Sequence, residues 1–256
     1  MRTKALALAE AARAILLDWD GCVVEGGRLK PGARDFLRAF ADKISILSNN
    51  STHRPEQIAG LLARHGAPVP SRRVHLAGQV ALEEAKRRFG ARPIYLLANR
   101  RMVYAARSLG LNLAASTAFE AVVLLRDTRF SFRKLELAVD GLRAGAELIV
   151  SNPDLTHPKL GGVAPETGAL LAAIIACVDG REVQTILVGK PAALLFEQAL
   201  IEAEVFPNQA VMLGDNPDTD VQGAGRLGIS AVLLGAQTGV SLETIMRERA
   251  AHPLNA

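Results

Sequence analysis

The chain has 256 residues, 49% of them hydrophobic and 22% charged, with a formal net charge of +4. That size suits one large domain or a core carrying an inserted one, and the composition excludes a disordered chain. Two cysteines without C-x-x-C spacing and five histidines without an H-x-x-x-H pair argue against a disulfide framework, a cysteine zinc site and a histidine-bound metal.

The basic clusters Arg72-Arg73, Lys86-Arg87-Arg88 and Arg100-Arg101 are short and scattered. They read as solvated helix faces or loops rather than a nucleic-acid groove, while the basic excess suits anionic small substrates. No secretory pattern and no membrane-length apolar run is present, so a cytoplasmic protein without a nucleic-acid or membrane partner is expected.

The Ala/Leu-rich stretch Met1 to Ala14 reads as a first helix. Ala14–Trp19 is a short buried strand, followed by a helix over Gly32–Ala41. Ile44–Ser48 is the next strand. Pro55–His65 is a helix, with Pro at its start and Gly66 just past its end. Strands at Pro93–Ala98, Ala121–Leu125 and Glu147–Val150 alternate with helices at Arg100–Leu109, Phe132–Ala144 and Pro165–Val178. The last quarter gives strands Thr185–Val188, Ala210–Leu213 and Ser230–Leu234, with helices Ala192–Ala203 and Asp218–Leu227 between them. This alternation predicts an α/β fold with a doubly wound parallel sheet.

Chemistry-bearing residues follow four of these strands. Asp18 and Asp20 end the first, and residues i and i+2 of a strand point to the same side. Two carboxylates held so close repel unless a divalent cation offsets them, and such a pair is suited to handling phosphate. Ser48-Asn49-Asn50-Ser51-Thr52, Gly189-Lys190-Pro191 and Gly214–Asp220 end the other three. Ligands of open parallel sheets bind at the carboxyl ends of the strands, so the four clusters are expected to converge. Phosphoryl transfer needs a nucleophile, a proton donor, hydrogen-bond donors for the phosphoryl oxygens and a hard cation, which points to Mg²⁺.

These clusters resemble the four motifs of the haloacid dehalogenase (HAD) superfamily, which is mostly phosphatases. D-x-D-G is met by Asp18-Trp19-Asp20-Gly21, the strand-ending Ser by Ser48, the Lys by Lys190, and G-D-x-x-x-x-D by Gly214, Asp215 and Asp220. Leu47–Thr52, Val188–Pro191 and Ser151–Asp154 resemble the NagD-like and p-nitrophenyl phosphatase branch, whose large α/β cap is inserted between the second and third motifs. The resemblance implies a Rossmann-like core over residues 1–77 and 180–256 and a cap over 78–179 that sets specificity.

It further implies Asp18 as nucleophile and Asp20 as general acid/base. Mg²⁺ is then held by Asp18, the Asp20 backbone carbonyl and Asp215. Ser48 and Lys190 hold the phosphoryl group, with Asn49 adding its backbone N–H. Asp220 orients Lys190 or a metal-bound water, with Asn216 beside it. Caps of this branch often pair, so a homodimer through the cap is an expectation. Trp19 and Cys22 depart from the usual smaller apolar residue and Thr, and remove no catalytic group. Cys22 reads either as a reactive thiol or as a small buried side chain.

The function expected is Mg²⁺-dependent hydrolysis of a small phosphorylated metabolite through an aspartyl-phosphate. Alternatives are a phosphotransferase or mutase, disfavoured by the large cap, dehalogenation, disfavoured by Asp20, and a non-catalytic nucleotide- or protein-binding module. Asn152 and Asp154 belong either to the substrate side of the cap or to a tight Asn-Pro turn. Arg54 either steers an anionic substrate or is a solvated helix-start residue. Sugar phosphates, nucleoside monophosphates, phosphoglycolate and pyridoxal phosphate all remain open as substrates.

Overall fold

The structure, a computed structural model, describes residues 3–116, 118–159 and 161–252. Of the expected elements, Met1 and Arg2 of the first helix, Thr117 and Leu160 of the cap, and 253–256 of the core lie outside the described residues. The chain divides into two compact units. The first takes the chain up to Ser48, Pro55–His75 and the chain from Lys190 onward; the second takes Asn49–Arg54 and Leu76–Gly189.

The first unit is built on a five-stranded sheet in the order Ser230–Leu233, Ala210–Gly214, Ala14–Asp18, Ile44–Ser48, Val74–Leu76. Ala14–Asp18 is central, parallel to both neighbours, and each of its residues is buried. Its near-continuous apolar run is what a strand covered on both faces requires. Leu17 lies level with Leu213 on one side and Ile46 on the other. Asp18, Ser48 and Asp215 therefore emerge at the same end of three adjacent strands. The strand order reverses between Ala14–Asp18 and Ala210–Gly214, so Asp18 and Asp215 flank the switch point at which open α/β sheets bind ligands.

Phe36, Phe196, Leu16, Ile44 and Leu62 are fully buried around this sheet. Each such side chain contributes roughly 2 kcal/mol. The C-terminal helix Leu242–Ala251, which periodicity did not single out, opens on a capping box of Ser241 and Thr244 and packs against Ala33–Ala39. Gly32 permits this approach, because a Cβ there would lie 2.3 Å from Glu243 Cα.

The second unit has its own sheet, parallel throughout, in the order Thr185–Leu187, Glu147–Val150, Ala121–Leu124, Ile94–Leu97. Helices Ala77–Phe89, Arg100–Ser108, Phe132–Arg143 and Thr167–Val178 accompany it, with an antiparallel hairpin of Thr156–Lys159 and Gly162–Pro165. Tyr95 stacks on Phe119 at 5.2 Å within its core.

Two expectations are corrected. The sequence pattern places the strand over Thr185–Val188 in the sheet of Asp18, and residues 180–189 in the core. Instead Thr185–Leu187 pairs with Glu147–Val150, and Val188 N donates to Val150 O at 3.0 Å. Three partly exposed residues carry no signal of which sheet they join, and long-range pairing decides it. Gly189 is consequently the last residue of the second unit. The helix expected over Asp218–Leu227 is also divided, with a wide turn at Pro217–Val221 followed by a regular helix over Gln222–Arg226. Asn216 O there accepts from both Asp220 N and Val221 N. Among the described residues no helix is long and apolar enough to cross a membrane.

Candidate active site

Asp18 closes its strand 6% exposed, and its carboxylate accepts from Lys190 Nζ at 2.5 Å. The same ammonium donates to Asp220 Oδ1 at 2.6 Å and to Leu47 O at 3.3 Å. Lys190 and Asp220 are also buried, so one ammonium is shared by two carboxylates away from water. Asp220 is itself fixed by Asn216 N, which donates to its Oδ2 at 3.1 Å. Asn216 caps the wide turn with its side chain, accepting from Asp218 N and Thr219 N. The acidic cluster thus divides its labour: Asn216 shapes the turn, Asp220 holds Lys190, and Asp215 faces Asp18.

Gly21 explains how Asp215 comes so near. Its φ is +84°, a left-handed conformation that favours glycine, and a Cβ there would lie 1.9 Å from Asp215 Oδ2. Gly214 has the same relation to Asp220, with its Cβ position 2.2 Å from Oδ2. The two glycines flanking the acidic residues therefore set the carboxylate positions. Ser48, buried at the end of its strand, donates through Oγ to Asp20 Oδ2 at 3.2 Å. Asp20 is exposed.

The charges do not balance. Burial pushes the Asp18 carboxyl up to about 8, with Lys190 opposing and Asp220 and Asp215 adding to the rise. Burial and Asp220 likewise push Asp215 up. Burial alone would lower Lys190, but Asp18 and Asp220 outweigh it and hold the ammonium charged. Three carboxylates around one ammonium call for a further cation. One oxygen each from Asp18 and Asp215 and the Cys22 sulfur lie within 4.8 Å of one another. The oxygen donors fit a hard divalent ion such as Mg²⁺. Cys22 does not compete as a thiolate, since burial, then Asp18 and Asp215, raise its thiol far above the ordinary range. It is a small buried side chain packed beside the carboxylates. Lys30, which sequence reasoning passed over, donates to Gly21 O at 2.7 Å and favours the Asp215 carboxylate by its charge. No pattern in the sequence marks it.

The remaining candidates lie in the second unit. Asn49 Nδ2 donates to Asp154 Oδ2 at 3.0 Å, and Asn152 Nδ2 donates to Asn49 O at 2.8 Å. Asn152 is wholly buried, with its amide also near Ser151 Oγ and Thr167 Oγ1. A polar group missed from sequence is Glu166, which caps Thr167–Val178 and meets His157 at 3.0 Å and Arg126 at 3.4 Å.

A model of the haloacid dehalogenase-like hydrolases matches residues 12–228. A dihydroxyacetone phosphatase of Corynebacterium glutamicum is 29% identical over 247 residues, 94% of this chain and 88% of that protein. An acid sugar phosphatase of Staphylococcus saprophyticus is 27% identical over 245 residues, 94% and 92% of the two chains. Among solved structures, a thermostable NPPase mutant from Geobacillus stearothermophilus superposes with a TM-score of 0.79 at 27% identity, covering 90% of this chain and 91% of that one.

Proposed function

The chain belongs to the haloacid dehalogenase-like hydrolase family, and on that premise we propose that it hydrolyses a small phosphate monoester through an aspartyl-phosphate on Asp18, with Mg²⁺ as cofactor. The observation that carries this reading is the buried Lys190 shared by Asp18 and Asp220, one face of a carboxylate cluster short of positive charge. Asp18, the Asp20 carbonyl and Asp215 would hold Mg²⁺, which would supply positive charge to offset the carboxylates and the phosphoryl group.

An Asp18 carboxylate oxygen forms the bond to phosphorus while the ester oxygen leaves and takes a proton from Asp20. Asp20, now a carboxylate, accepts a proton from water as that water attacks phosphorus. The Asp18–phosphorus bond breaks, inorganic phosphate departs, and both carboxyl groups return to their starting states. Ser48 O–H, Asn49 N–H and the Lys190 ammonium donate to the phosphoryl oxygens, where charge is held in the transition state. Asp220 keeps Lys190 charged and aimed.

The relatives named dihydroxyacetone phosphatase and acid sugar phosphatase support a phosphorylated sugar or triose as the substrate class. Pairing of two copies through the inserted unit suits its uncharged helix Thr167–Val178, on which Ile175 is exposed. The test is phosphate release from p-nitrophenyl phosphate and from sugar, triose and nucleoside phosphates, with Mg²⁺ and with EDTA. Mg²⁺-dependent release, fastest with a sugar or triose phosphate, supports the reading. No release from any ester by folded, Mg²⁺-loaded protein contradicts it.

A further inference from the structure

The loop Ser151–Asp154 touches the chain at two of the four points where it passes between the two units, the first and the last. Ser48 is the last residue of the first unit and Asn49 begins the second; Gly189 ends the second and Lys190 resumes the first. On the outgoing chain, Asn152 holds Asn49 O at 2.8 Å and Asp154 holds Asn49 Nδ2 at 3.0 Å. On the returning chain, Gly189 N donates to Ser151 O at 2.8 Å. A Cβ at Gly189 would lie 2.5 Å from Asn49 Oδ1 and 2.6 Å from Ser151 O, so the returning backbone lies flat on the same loop and against Asn49 itself. The loop is anchored in turn. Asp154 N donates to Asn152 Oδ1 at 3.2 Å, Gly168 N donates to Asp154 O at 2.8 Å, and Asn152 is fully buried.

We propose that Ser151–Asp154 is a clamp that positions Ser48 and Lys190 by fixing Asn49 and Gly189, the residues one peptide bond away from each. Asn152 and Asp154 are then positioning residues that serve the phosphate site through the backbone rather than by touching substrate. Consecutive Cα atoms are about 3.8 Å apart and the peptide between them is rigid, so a shift at Asn49 or Gly189 passes directly to its neighbour. Misplacing a reacting constellation by about 1 Å costs on the order of 10²-fold in rate. A unit gripping the first and last of the four crossings through one loop couples its own integrity to two of the groups that hold phosphate. The inference rests on the reading of Ser48 and Lys190 as those groups.

The test compares Asp154→Ala, Asp154→Asn, Asn49→Ala and the double variant Asn49→Ala/Asp154→Ala. The readouts are kcat and KM on p-nitrophenyl phosphate per folded enzyme, calorimetric affinity for inorganic phosphate in Mg²⁺, and Tm. Asp154→Ala is expected to lower kcat and weaken phosphate binding by about tenfold each, the effect of losing one good hydrogen bond at a charged acceptor. Asp154→Asn, whose Oδ1 still accepts from Asn49, is expected to restore both. The double variant is expected to be no worse than the poorer single, because the two side chains act as one contact.

A rise in KM for the ester alone, with kcat and phosphate affinity unchanged, would overturn the clamp and make Asp154 a substrate contact. Additive losses in the double variant, or a loss confined to Tm, would overturn it too. The functional reading fails separately, when wild-type protein neither hydrolyses esters nor binds phosphate. The clamp fails when wild type does both and Asp154→Ala leaves both intact.

Discussion

Gly21→Ala strikes the proposed cation site without replacing a carboxylate. The added Cβ would stand 1.9 Å from Asp215 Oδ2 and 2.8 Å from its Cγ. To restore van der Waals contact the carboxylate must retreat by about 1.5 Å, several times the ~0.2 Å tolerance of a metal–ligand bond. The alanine also takes on a left-handed φ, at about 1–2 kcal/mol. The expected result is a modest fall in Tm and a loss of roughly 10–100-fold in Mg²⁺ affinity. Calorimetric Mg²⁺ titration reads the affinity directly, and the Mg²⁺ concentration for half-maximal turnover reads it independently. Gly27→Ala is the control. Its φ is +79°, yet nothing lies within 4 Å of its Cβ position. It is expected to cost similar stability and leave Mg²⁺ binding unchanged. Wild-type Mg²⁺ affinity in Gly21→Ala would refute the assignment of Asp215 as a ligand held in place by the glycine.

Two further perturbations follow from the first unit. His75 is buried, its Nε2 meets no hydrogen-bond partner among the described residues, and burial pushes its pKa down to about 4 from an ordinary 6.5. The folded state thus resists protonation: His75 costs nothing above about pH 6.5 and removes about 2 kcal/mol by pH 5. His75→Leu is therefore expected to lose less stability between pH 7 and pH 5 than wild type in urea unfolding, and equal losses would exclude His75 as the cause. Lys190→Met leaves the buried Asp18 and Asp220 without their shared cation. Metal-free protein is expected to lose about 3–5 kcal/mol of stability, with turnover abolished. A loss below about 1 kcal/mol would mean that the carboxylates are not held apart by that ammonium.

Much of the fold was legible because buried parallel strands announce themselves as short apolar runs. Ala14–Asp18, Ile44–Ser48 and Ala210–Gly214 lie within about a residue of where the pattern puts them. The convergence of the candidate residues was legible for the same reason, since D-x-D-G, Ser48 and Gly214-Asp215 each follow such a run. Thr185–Leu187 was misplaced because its partner, Glu147–Val150, is chosen by backbone pairing across distant residues. Asn49–Arg54 joins the second unit through hydrogen bonds from Asn152 and Arg126, and no local pattern foretells those. Val74–Leu76 is too short for periodicity to register, and Lys30 acts through a bond to Gly21 O that only the antiparallel pairing of Val24–Glu25 with Arg28–Leu29 brings about.

The most direct test of the central claim is to look for the phosphoryl group on Asp18 itself. Enzyme turning over p-nitrophenyl phosphate in Mg²⁺ is quenched in acid within the first turnovers, digested and mapped by mass spectrometry, with Asp18→Asn run in parallel. The account predicts a phosphorylated peptide containing Asp18 in wild type, and neither that peptide nor turnover in a folded Asp18→Asn. Sustained turnover by Asp18→Asn, or phosphorylation on a peptide without Asp18, would contradict it.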